Sequence, residues 1–440
     1  MTAGGLPAIA PAGWPEPATL AVMLGVFAAL AVWRRWPIGV SLLAGAWAGA
    51  AVNGDLLPHR HLIEGAFSYL DPILVIVTAM IFMRALADGG ALACIVGAVE
   101  RRLGGRPALL LPMLMVIVMF PGMVTGSSTA SVLATGTMVG PVLVGLGLCA
   151  ERAAAIIAMG GVLGMIAPPI NIPAMIIGSG IDLPYVGFAA PLALASFPAA
   201  LLIVYWLGWP LLRQRAGRAA MAGLAGAGAT AASPFSLWRA LAAPLAAAAL
   251  MIAPRAWPSA VPDYGLPLAF LISAAVAVVV SPRFGVVRSL VAATEDVLPV
   301  AGILTGVGAF IQVMTVTGGR GWLVALMLAA PAWALVGAAA VSVPAFGAVS
   351  AFGSASVLGV PFLLSMLGRD EVVTAAALSS LAGLGDLMLP AAIAATLAAR
   401  ALGISDRRRV LRRCVLPAAA IALVAAAMLA WSPQIGRWLR

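Results

Sequence analysis

The chain has 440 residues, 63% of them hydrophobic and 9% charged, and its mean hydropathy is +1.09. That composition excludes a soluble globular protein and calls for a bilayer as solvent. The formal charge of +10 would suggest nucleic acid as partner of a soluble chain; here it reports membrane topology, and no nucleic-acid partner is expected.

The N-terminus, MTAGGLPAIAPAGWPEP, lacks the basic start of a cleavable signal, so the first apolar run is expected to stay as a helix. That helix covers about 18–33 and ends at Arg34-Arg35; a second, 38–52, returns to Asn53-Gly54-Asp55. Residues 1–70 form the N-terminal scaffold, closing with an amphipathic stretch that carries His59, Arg60, His61 and Glu64. A first transport repeat spans 71–209. It holds a helix over 72–87, an interfacial arm over 91–103, a re-entrant hairpin over 107–148, a broken helix over 153–181 and a final crossing from 187. A Gly-, Ala-, Ser- and Arg-rich stretch at 210–239 reads as a cytoplasmic linker. Further scaffold helices occupy 240–295. A second repeat at 296–432 starts its first helix at Val297 and has a hairpin at 331–367 and a broken helix at 372–402.

The two repeats share landmarks. Gly89-Gly90 matches Gly318-Gly319, Gly126 matches Gly353, Pro141 matches Pro361 and Pro169 matches Pro390, with displacements of 229, 227, 220 and 221 positions. Their charge bias is opposite. The arm-to-hairpin junction reads ERRLGGRP in the first copy and LMLAAPAW in the second, and the turn after the broken helix reads IDLPYVG and then ISDRRRVLRRC. An odd number of crossings per copy produces that inversion. All 25 basic residues are arginine, and a periplasmic placement of both termini puts 19 of them on the cytoplasmic side. The expected fold is an all-α polytopic membrane protein with two inverted-topology repeats, each with a re-entrant hairpin and a broken helix.

Paired interruptions of this kind point to a transporter's binding site. Non-helical backbone is tolerated at membrane depth only where it is buried in protein or lines a watery cavity. Gly126, Ser127, Ser128 and Thr129 form the first polar tip, and Gly353, Ser354 and Ser356 the second. Pro168 and Pro169, followed by Asn171, break one helix; Pro390, just after Asp386, breaks the other. The exposed helix N-termini suit an anion, and loose carbonyls suit a small cation. Ser127, Ser128, Thr129, Pro169, Asn171, Ser354 and Ser356 are the candidate substrate ligands. Gly126, Ser127, Pro168, Gly353, Ser354, Asp386 and Pro390 are the candidate cation ligands. Asp386 stands out because a carboxylate within a membrane span is costly. Arg84 is expected to snorkel to the interface, and Asp71, Glu295 and Asp296 to sit at helix starts. His59 and His61 have no ligand set around them, so no metal site is expected. Cys94, Cys149 and Cys414 read as reduced apolar residues.

With two histidines, no HExxH and no GxxxxGK[ST] loop, neither a membrane enzyme nor an ATP-driven pump is expected. A channel stays open, because re-entrant tips also build filters.

The segments TGSSTASVLATGTMVGPVL and GVLGMIAPPINIPAMIIGSG, with SAFGSASVLGVPFLL and GLGDLMLPAAIAATLAARALG in the second half, resemble the large membrane subunit of tripartite ATP-independent periplasmic (TRAP) transporters, part of the wider ion transporter superfamily. The resemblance covers about 71–209 and 297–431. It implies an elevator mechanism in the bacterial inner membrane and sodium-coupled uptake of a small organic acid, a carboxylate or dicarboxylate. It also implies a small membrane subunit and a periplasmic substrate-binding protein as partners, and no cofactor beyond sodium as coupling ion. The alternative is a self-sufficient proton- or sodium-coupled organic anion carrier of the same superfamily, without a binding protein. The second copy departs from the pattern with one proline where the first has two, and Asn171 stands where a Ser-rich continuation belongs. No small subunit is visibly fused.

Overall fold

The computed structural model describes residues 15–213, 236–281 and 285–439. Most of the expected linker, 214–235, lies outside the described residues. Among the described residues the chain is helical with no strand, and eight helices are long and apolar enough to cross a membrane. The protein is therefore an all-helical, multi-pass integral membrane protein. It divides into two compact units, 1–69 with 302–330, and 70–301 with 331–440.

In the first unit α1 (Glu16–Ala28) and α2 (Ile38–Val52) form an apolar pair. Asn53 donates its side-chain N–H to the Thr19 hydroxyl at 2.8 Å, joining the end of α2 to the start of α1. The amphipathic α3 (His59–Phe67) follows. Its Arg60 and Glu64 pair one turn apart at 2.8 Å, which holds the Glu64 carboxyl below its usual range. Phe27 meets Phe310 edge-on, with ring centroids 6.4 Å apart.

In the second unit α4 (Leu70–Asp88) and the arm α5 (Ala91–Leu103) are followed by the first hairpin, α6 (Pro107–Thr125) and α7 (Ser128–Gly145). The broken helix is α8 (Ala150–Ile166) and α9 (Ile172–Ser179), and α10 (Ala189–Arg213) crosses next. Then come α11 (Leu237–Ala256), α12 (Gly265–Val280) and the long α13 (Val286–Val316), which the unit boundary at 301/302 divides, with α14 (Gly319–Leu328) in the first unit. The second hairpin is α15 (Ala332–Gly347) with α16 (Ala351–Ser365), whose Ala355–Gly359 turn widens to π geometry. The second broken helix is α17 (Glu371–Gly383) and α18 (Ile393–Ala401), joined through a tight turn at Leu384–Leu387; α19 (Arg407–Ala430) and α20 (Ser432–Leu439) end the chain.

The half-helices are too short to span. At 1.5 Å per residue the 8 residues of α9 cover about 12 Å of a hydrocarbon layer about 30 Å thick. They are stable because they are buried. Every residue of α8 from Ala153 to Ile166, and of α17 from Val373 to Gly383, is buried. A helix that is apolar all round belongs in a core.

Contacts within this unit survive exchange of the two copies. Helix α8 packs on α6 and α10 as α17 packs on α15 and α19. Across copies, α8 packs on α18 and α9 on α17, so the first half of each broken helix lies along the second half of the other. The two broken helices are thus antiparallel, which is the geometry of inverted repeats.

One expectation needs correction. Helix α13 starts at Val286 rather than Val297, so Glu295 and Asp296 lie within it. Both are exposed on the helix surface, and Asp296 has a cationic neighbour. The Arg84 guanidinium lies 3.5 Å from Asp296 and 3.5 Å from Asp88, and Ser289 donates to Asp88 at 2.7 Å. Arg84 therefore lies between two carboxylates near the end of α4.

Candidate functional site

All the residues singled out by the interruptions lie in the second unit. The first hairpin turns at Gly126, whose φ of +63° is left-handed. A Cβ there would lie 2.5 Å from Ile172 of the first break, so glycine serves both the turn and the close approach. Ser127 caps α7, accepting from the Ala130 N–H at 3.3 Å. Ser128, one residue on, donates its hydroxyl to the Asp386 carboxylate of the second break. Thr129 sits half-buried on the same turn. Ser131 is buried, donates to the Val118 carbonyl and accepts from the Gly122 N–H, stapling the two arms.

The first break is closed by its own residues. Both Pro168-Pro169 and Leu389-Pro390 are cis. Asn171 is fully buried. Its side-chain oxygen caps α9 by accepting from Ala174 N–H at 2.9 Å. Its side-chain N–H groups donate to the Ile166 carbonyl at 3.0 Å and to Ser379 of α17 at 2.9 Å. Its backbone N–H donates to the Tyr185 hydroxyl at 3.0 Å, and that hydroxyl donates to the Pro169 carbonyl at 3.1 Å. The Ile170 N–H reaches the Met123 carbonyl of the hairpin at 3.1 Å. The carbonyl freed by the break at Ile166 is thus taken up within the protein. The Asn171 amide is engaged on both sides, which makes it a positioning group for the two broken helices.

The second tip differs from its expected place. The reversal is at Ala348–Ser350, and Ser350 caps α16 by accepting from Gly353 N–H at 3.1 Å. Gly353, Ser354 and Ser356 are buried inside the returning arm. Ser354 donates to the Val343 carbonyl at 2.5 Å, as Ser131 does to Val118, and Ser356 donates to the Gly353 carbonyl at 2.8 Å. Both hydroxyls therefore serve the hairpin itself. Ser350 and Ser354 stand 223 positions after Ser127 and Ser131, a displacement that would have found the cap.

The second break is open. Asp386 is half-buried on the turn at Leu384–Leu387, and Met388, Leu389 and Pro390 are exposed. Ala392 begins α18 in a left-handed conformation, φ 43°. Gly385 touches Gly347 of the second hairpin backbone to backbone: a Cβ on Gly385 would lie 2.4 Å from the Gly347 Cα. The first tip, both breaks and the second hairpin thus meet around Ser128, Gly347 and Asp386.

Among the described residues there is no group of three or more His, Cys, Asp or Glu side chains placed to share a metal. What this region presents is a single carboxylate, hydroxyls and backbone carbonyls. That hard-oxygen set suits a small alkali cation better than a transition metal.

A family model described as the Na+/H+ antiporter family matches residues 14–209. The isethionate TRAP transporter permease protein DctMQ of Oleidesulfovibrio alaskensis is 32% identical over 157 residues, which cover 34% of this chain and 24% of that protein. The matched part therefore spans about a quarter of the curated relative's length. Among solved structures, the YdaH transporter of Alcanivorax borkumensis superposes with a TM-score of 0.57 at 16% identity, covering 86% of this chain and 89% of its own. MtrF of Neisseria gonorrhoeae, described with a class of antimetabolite efflux pumps, also gives a TM-score of 0.57, at 12% identity over 94% of this chain and 97% of its own. These two likenesses are of fold.

Proposed function

We propose that the chain is a secondary active transporter, the large permease subunit of a TRAP-type system in a bacterial inner membrane. It takes up a small organic anion, a carboxylate or dicarboxylate, with sodium, by an elevator mechanism. The observation that carries this reading is the hydrogen bond from Ser128 of the first hairpin tip to Asp386 of the second break. A carboxylate inside a membrane domain is a functional candidate by default, and this one links two interruptions from opposite copies. Sodium would bind oxygen atoms around Asp386, Ser128 and the backbone at Gly126 and Pro390. The anion would face the N-terminus of α7 with Ser127 and Thr129, and the backbone at Pro169. Asn171, Ser354 and Ser356 would hold these groups in place. The partial likeness to a TRAP permease supports a small membrane subunit and a substrate-binding protein as partners, and the arginine distribution supports a periplasmic place for both termini.

The test is uptake of labelled carboxylates, dicarboxylates and isethionate into proteoliposomes, with sodium or proton gradients, for wild type and Asp386→Asn. Sodium-driven accumulation that needs the small subunit and binding protein, and falls at least about tenfold in the variant, is the expected result. Proton-driven uptake by the chain alone would move it to the self-sufficient carriers. Silence with all components present would sink the transport reading.

A further inference from the structure

At one end of the second unit, helices α8, α10 and α19 pack together around a cleft of about 500 Å³ lined by Arg152, Tyr205, Trp206, Leu207, Trp209 and Arg413. Its size falls in the range of about 300–1,000 Å³ typical of pockets that hold small organic ligands. This is the basic end of the unit. The start of α8, the end of α10 and the start of α19 meet here, and Tyr205 donates to the Ala108 carbonyl at the start of α6 at 2.9 Å. Arg101, Arg102 and Arg106, exposed just before α6, belong to the same end.

The two lining arginines differ in how they are held. The Arg152 guanidinium donates to the Leu207 carbonyl at 3.0 Å, which fixes one edge of the fork and leaves the rest available. Arg413 is exposed and makes no ion pair among the described residues. The nearby acids are otherwise engaged: Arg409 lies 3.8 Å from Glu151 and 3.7 Å from Asp406. No acidic side chain is among the described residues lining the cleft. Two positive forks without a carboxylate between them call for an anion, and guanidinium geometry matches phosphate oxygens. The other side of the cleft is aromatic. Trp206 and Trp209 are 47% and 50% exposed, and Leu202, one turn along α10, is 70% exposed. Large apolar surface beside a guanidinium pair suits a ligand with both a phosphate and hydrocarbon. A wholly polar anion would leave that surface uncovered. Tryptophan and tyrosine favour the headgroup level of a bilayer, and basic pockets between membrane helices hold anionic headgroups there.

We propose that this cleft binds an anionic phospholipid. Its phosphodiester lies between Arg152 and Arg413, and its acyl chains run over Trp206 and Leu202. The site is separate from the interruptions around Asp386 and does not depend on what the protein transports.

The experiment measures thermal unfolding and native mass spectra of the full chain in detergent. The additives are phosphatidylglycerol, phosphatidylcholine, or inorganic phosphate. The expected result is a retained phosphatidylglycerol and a rise in melting temperature that neither phosphatidylcholine nor phosphate reproduces. Arg413→Gln, an exposed change, weakens the apparent affinity about tenfold. Arg101→Gln/Arg102→Gln removes twice as much charge from the same end but leaves the affinity unchanged. A melting shift of equal size in Arg413→Gln, or no shift in wild type, would overturn the proposal. An equal shift with inorganic phosphate would reassign the cleft to a free anion, and equal losses in both variants would reduce the effect to general surface charge.

Discussion

The two helix breaks occupy equivalent places in the two repeats and are held in opposite ways. At the first, Asn171 and Tyr185 use up the backbone groups that the prolines release, and the side chain of Asn171 is buried. At the second, Met388, Leu389 and Pro390 face outward, and the Pro390 carbonyl is met by the exposed Arg407 at 3.4 Å. The ionisable group sits at the open break, and the closed break carries only neutral ones. A closed break is a fixed wall. The open break leaves a carboxylate and exposed backbone at the turn, without the buried capping side chain of the closed one. The Ser128 hydroxyl spans from the hairpin beside the closed break to the carboxylate at the open one.

Substitutions can break or sharpen this contrast. The largest effect is expected from Asn171→Ala. It strands the Ile166 carbonyl and the Ala174 N–H in a buried place, at about 1–3 kcal/mol for each unsatisfied group, and takes a donor from Ser379, which keeps its bond to the Ala376 carbonyl. Loss of several kcal/mol should appear as a melting point lowered by many degrees or as failure to accumulate in the membrane. A near-wild-type melting curve would show that the closed break is not held as described. Tyr185→Phe removes one hydroxyl with two bonds and leaves the ring stacked on Phe188, whose centroid lies 4.9 Å away. A cost of about 1–2 kcal/mol is expected, and thermal unfolding of the variant would measure it. The smallest effect belongs to Arg407→Gln at the open break, where long bonds on an exposed side chain are worth about 0.5 kcal/mol or less. If Arg407→Gln destabilised as much as Asn171→Ala, the two breaks would be equally locked and the contrast would fail.

Much of this arrangement was legible in the sequence because interruptions of helices are written in glycine and proline. The first tip, both prolyl breaks and the arm over Ala91–Leu103 lie where those residues put them. The second tip was misplaced by a few residues. Gly353-Ser354-Ala355-Ser356 copies the composition of Gly126–Thr129, and a small polar cluster fits the inside of a closely packed arm as well as it fits a turn. The cap at Ser350 has no glycine beside it to announce it. The start of α13 was hidden for a related reason. Glu295-Asp296 imitates a helix start, and only the fold brings Arg84 from another helix to Asp296. The role of Tyr185 was invisible, since it lies in a short turn sixteen residues from the carbonyl it binds.

The antiparallel pairing of the broken helices bears on how such a chain can arise. Helix α8 is covered along its length by elements of both copies, α18 and α19 among them. One copy by itself would leave that apolar surface open and would need a second molecule inserted the other way up to close it. A half-length chain of this design would have to enter the membrane in both orientations to cover its own core.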